Sequence, residues 1–76
     1  MTYPTVSTAV AGEVRAQLAR LNQSGIWLSE MTHIPHPTLR RRLAGDGNLT
    51  IDELAKIARA LGVSMASLLP RTEDAA

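Results

Sequence analysis

Arg40, Arg41 and Arg42 stand together in the stretch "IPHPTLRRRLAGDG", residues 34 to 47, of a chain whose formal net charge is only +1. Guanidinium groups bind anions, and one presented from a slim helix can hold guanine O6 and N7 bidentately in a DNA major groove. Two other constellations offer less. His33 and His36 have no third nitrogen or sulfur ligand nearby and are separated by Pro35, so no metal site is expected. Seven carboxylates are scattered along the chain; of the adjacent pairs, Asp52–Glu53 has a helix-capping explanation and Glu73–Asp74 falls in the C-terminal segment. With no nucleophile, base and orienting group in view and no glycine-rich phosphate loop, neither an enzyme nor a cofactor is expected.

The charge is unevenly spread. From Glu13 to Gly45 five arginines face two glutamates, a surplus of +3; from Asp46 onward three cations face five carboxylates, a deficit of −2. The positive field therefore gathers around one segment, as a surface that meets an anion requires.

The elements that position the arginines are helical throughout. At 76 residues, 45% of them apolar, the chain has material for one small core, and it has no cysteine to staple it. Val10, Val14, Leu18 and Leu21 share one helical stripe, with Arg15, Ala16 and Arg20 turned to water, which predicts helix 1 from Thr8 to Leu21. Asn22 suits the left-handed end of that helix, Ser24 can cap helix 2, and helix 2 runs to Thr32, burying Leu28 and Met31. Ile26 faces outward and Trp27 sits at the core edge. Thr50 and Glu53 form a capping box, Leu49 and Leu54 a hydrophobic staple, and Ile51, Leu54, Ile57, Ala58 and Leu61 the buried stripe of helix 4, which Gly62 ends. Ser64 caps a short helix 5 that Pro70 stops.

Pro35 and Pro37 explain the turn before the arginines. Each pushes its predecessor out of the helical region, so helix 2 is barred from continuing into helix 3. His33 occupies the left-handed position of the turn, Pro37 serves as the first helical residue, and helix 3 extends to Ala44. Leu39 and Leu43 then point to the core, while Pro37 and Arg41 point away, flanked by Thr38 and Arg40. Arg42 falls nearer the core margin, where its stem packs and its guanidinium snorkels outward.

This pattern resembles the five-helix DNA-binding domain of the Cro and lambda-type repressor (XRE) family over residues 10 to 69. The resemblance rests on Leu28, Glu30, Ile34, Thr38, Leu39, Arg41 and Gly45 in "LSEMTHIPHPTLRRRLAG" and on "TIDELAKIARALGVSMASLL". It implies an all-α fold and base reading by His36, Pro37, Arg40 and Arg41. Phosphates are expected at Gln23, Ser24, Gly25, Thr38, Arg42 and Asn48. It further implies a homodimer, completed on operator DNA, through Met65, Leu69 and Pro70. Three positions depart from the family pattern: Gly25 replaces a common glutamine, His33 a glycine, and Arg42 an apolar residue. The expected organisation is an N-terminal arm (1–7), the DNA-binding domain (8–70) and a tail (71–76). The expected function is that of a bacterial cytoplasmic transcriptional regulator, a Cro-like or compact phage or prophage immunity repressor; the alternative is an antitoxin that binds its toxin and its own promoter. No membrane partner is expected, since no apolar run approaches spanning length and the N-terminus lacks a signal-peptide pattern.

Overall fold

In a computed structural model, which describes residues 6 to 70, five helices follow in order: α1 (Val6–Leu21), α2 (Gly25–Thr32), α3 (His36–Leu43), α4 (Ile51–Leu61) and α5 (Met65–Leu68). No strand occurs among the described residues, so the fold is all-α. Helix α1 starts two residues before the position its apolar stripe marks, and so takes in residues 6 and 7 of the expected arm. Helix α3 starts one residue early, which makes Pro37 its second residue; an N–H would have no intrahelical partner at either position, so proline's lack of one costs the helix nothing.

One apolar core joins the helices. Val10, Val14 and Leu18 of α1, Leu28 of α2, Leu39 and Leu43 of α3, four residues of α4 and Leu68 of α5 are buried together, with Ile34 from the turn between α2 and α3. Leu28, Leu39 and Ile57 are wholly excluded from solvent, and each contributes about 1.5–3 kcal/mol by burial. Trp27, Leu49, Val63 and Met65 pack around this core.

Three residues expected inside lie outside. Met31 is 53% exposed. The second buried place on α2 goes to Thr32, whose hydroxyl donates to the Leu28 carbonyl at 2.7 Å and accepts from the Ile34 N–H at 3.4 Å, so its polarity is satisfied without water. Ile51 is 71% exposed: it opens α4 one turn short of the core, and Leu49 ahead of the cap packs there instead. Leu21, the last residue of α1, lies beyond the core margin and is 45% exposed.

The turns match their chemistry. Asn22 (φ 55°) and His33 (φ 60°) are left-handed, and the His33 N–H donates to the Ser29 carbonyl at 2.9 Å. The Ser29 hydroxyl donates to the Ile34 carbonyl at 2.5 Å, which pins the turn from α2 to α3 on its far side. At α4 the capping box is complete: Thr50 Oγ1 accepts from the Glu53 N–H and Glu53 Oε1 from the Thr50 N–H, both at 3.0 Å. Gly62, left-handed at φ 74°, ends the helix.

Candidate nucleic-acid interface

Helix α3 is pinned from one side and bare on the other. Leu39 and Leu43 anchor it in the core, while Pro37, Arg40, Arg41 and Ala44 are exposed and, with Asp46, line a shallow depression of about 310 Å³. Among the described residues, neither Arg40 nor Arg41 has an ion-pair partner. Their charges sit in the last turn, where the helix dipole favours cations by about 0.3–1 kcal/mol. That explains why such a helix tolerates them. It does not explain why they are offered outward, unpaired, beside the small residues Pro37 and Ala44.

The start of α2 comes to the same place. His36, half-buried, lays its ring near the first turn of α2, with Nε2 3.9 Å from the position a Cβ on Gly25 would take. Ser24 caps α2 by accepting from the Trp27 N–H at 3.1 Å. Its own O–H remains able to donate, beside the free N–H groups of a helix N-terminus, an arrangement that suits a phosphate oxygen. Gln23 is exposed next to it and Thr38 half-exposed on α3, while Asn48 is exposed in the loop after α3. Of the side chains expected to read bases, His36 thus lies beside the start of α2, while Pro37, Arg40 and Arg41 line one depression on α3.

Two arginines have partners that were not expected. Arg42 does not snorkel. Its Nε donates to Glu53 Oε1 at 3.2 Å, and the two side chains are 23% and 18% exposed. The cause is a nearby carboxylate that the cap of α4 already holds in place. Burial raises the Glu53 pKa, but the Thr50 N–H, the Arg42 hydrogen bond and charge, and the Thr50 hydroxyl together bring it below its usual value. Arg15 is exposed, as expected, yet its Nη1 also donates to the Leu43 carbonyl, one of the orphan acceptors at the end of α3. Neither partnership had a sequence signal: Arg15 and Leu43 are 28 residues apart, and Glu53 is already accounted for by its cap.

The apolar end expected to pair with a second copy is only partly open. Met65 packs against the core; Leu69, 43% exposed, and Pro70 face solvent. No helix among the described residues is long and apolar enough to cross a membrane.

This geometry, two short helices joined by a tight turn with the second presenting a basic face, defines a helix-turn-helix protein. A model of the family described as "Helix-turn-helix" matches residues 15–68, and the chain belongs to that family in its XRE, Cro/C1-type form. Solved structures agree on the fold. The clp gene regulator ClgR from C. glutamicum is 23% identical, with a TM-score of 0.81 over 87% of this chain and 86% of that one. The hypothetical transcription factor NHTF from Neisseria is 18% identical, with a TM-score of 0.83 over 93% and 82%. HppE, solved with FeII, is 27% identical with a TM-score of 0.77, but the match covers 87% of this chain and only 35% of that protein. No curated protein matches the chain. The chain is a DNA-binding transcription regulator.

Proposed function

We propose that the chain is a sequence-specific repressor of the Cro-like or compact immunity-repressor type, which occupies an operator with α3 in the major groove. The outward stripe of α3 carries this reading: Pro37 allows close approach, and Arg40 and Arg41 stand unpaired for bidentate bonds to guanine, with His36 at the helix entrance. Phosphate contacts come from Gln23, Ser24 and Gly25 at the start of α2, from Thr38, and from Asn48 after α3; Arg42, the remaining candidate, is engaged with Glu53.

One such face makes too few contacts for the affinity of about 10⁻⁸ M expected of a specific regulator. The repressor therefore acts as a homodimer joined through Leu69, Pro70 and the exposed edge of Met65, with two copies of α3 about 34–36 Å apart in successive major grooves. Selection of bound sequences from random duplexes, followed by footprinting and a mass measurement with and without the selected site, tests this. The expected result is an inverted repeat with half-sites about one helical turn apart, bound by two chains. A single asymmetric site saturated by one chain would overturn the dimer, and equal binding to all duplexes would overturn sequence specificity.

A further inference from the structure

Arg42 stands where the family resemblance leads one to expect an apolar side chain, so its role calls for an explanation of its own. Helix α3 packs chiefly on α1 and α2, and α4 chiefly on α2. The side-chain ion pair between α3 and α4 is Arg42 Nε to Glu53 Oε1 at 3.2 Å. That same oxygen accepts from the Thr50 N–H at 3.0 Å, so the arginine is fastened to the backbone that begins α4. On its other side the guanidinium lies against the loop between the two helices: a Cβ at Gly47 would come within 2.9 Å of Arg42 Nη1, and Gly47 has φ +109°, a left-handed value that glycine tolerates. Loop, cap and α3 therefore meet on one side chain. Released, the guanidinium would leave a half-buried carboxylate without its cation, so a phosphate must compete with a partner already in place.

We infer that Arg42 is a positioning residue for DNA recognition. By tying α3 to the cap of α4 and bracing the loop at Gly47, it fixes the angle at which Arg40 and Arg41 meet the groove, and it shapes base preference without touching DNA. The inference rests on the reading of α3 as the groove-entering helix. A bidentate guanine contact depends on orientation, so a small loss of pose costs discrimination before it costs general affinity.

The experiment compares the full chain with Arg42→Met, Glu53→Gln and the double variant. Methionine keeps the apolar stem; glutamine keeps an oxygen able to accept from both Thr50 and Arg42. Hydrogen exchange on the free protein comes first: in Arg42→Met the hydrogen-bonded amides of Gly45 and Asp46 in this loop should exchange about tenfold faster, with little change in Glu53→Gln. On DNA, Arg42→Met should lower the ratio of selected-site to random-site affinity by about tenfold at an unchanged salt slope. Glu53→Gln should retain most of the ratio, and the double variant should lose no more than Arg42→Met alone. A salt slope lowered by about one with the ratio intact would make Arg42 a phosphate ligand and overturn the inference. Unchanged exchange and an unchanged ratio would overturn it too. A wild-type chain indifferent to sequence would overturn the sequence-specific reading and the recognition role together, and the exchange measurement would still show whether the brace on the loop exists.

Discussion

Helices α3 and α4 follow one another in the chain and are specified in opposite ways. Helix α4 carries its own instructions: a capping box at Thr50, acidic residues in its first turn, a continuous apolar stripe and a glycine to end it. Helix α3 carries almost none. Pro35 stands at its N-cap without a side-chain hydrogen bond, its first turn has no acid, and its last turn holds three adjacent like charges. Its two core leucines hold it inward, Arg15 of α1 closes its last turn, and Glu53 of α4 takes its third arginine. An element that must present an unsatisfied surface to a ligand has few side chains left for stabilising itself, and the neighbouring helices supply what it lacks.

The contrast can be broken most severely at the leucine anchor. Leu39→Ala should cost about 2–5 kcal/mol of stability, because the site is fully closed and α3 has little else to hold it. Chemical denaturation measures this, and a loss below about 1 kcal/mol would mean that α3 is not core-dependent. Next in size is the bare face. Arg40→Ala or Arg41→Ala should remove about 1–3 kcal/mol of discrimination at one base pair per half-site while leaving the melting temperature near its wild-type value. Equal losses on specific and random duplexes would instead mark these arginines as phosphate contacts. Thr50→Ala should cost about 0.5–2 kcal/mol, read as a lower melting temperature, and it tests whether α4 depends on its own cap. An unchanged transition would show that α4, like α3, is held from outside.

The smallest effect is acid sensitivity. Because the Glu53 pKa in the folded chain lies below its usual value, the unfolded chain binds this proton more readily. The associated stabilisation is complete above the ordinary glutamate pKa and disappears as pH falls through the lowered one. A comparison of wild type with Glu53→Gln by denaturation across that window should show the wild-type stability falling more steeply. Parallel curves would contradict it.

The same contrast explains how much was legible in the sequence. Caps, left-handed residues and proline-framed turns act within four residues of themselves, so Ser24, His33, Thr50 and Gly62 could be placed from their neighbours alone. The outward face of α3 was legible because Leu39 and Leu43 fix its rotation. Periodicity failed at helix ends, where Leu21, Met31 and Ile51 continue an apolar stripe past the point at which a core exists to receive it. The partners of Arg15 and Arg42 were hidden for another reason: a cation's partner across the fold leaves no trace in local spacing.

The bond between Arg42 and Glu53 also constrains how such a chain can change by inheritance. Glu53 is useful alone, since its carboxylate completes the cap of α4 whatever occupies position 42. Arg42 is not, because without an acid at 53 it would leave a half-buried cation unpaired beside Gly47. Accumulation therefore has a direction. Descendants that keep Glu53 and exchange Arg42 for an apolar residue lose the cation but still bond that carboxylate to the Thr50 N–H, whereas those that lose Glu53 first leave the arginine without its acid and carry the larger penalty until position 42 follows. Among relatives, the combination of arginine at 42 with a residue at 53 unable to accept a hydrogen bond should be the rarest of the four pairings.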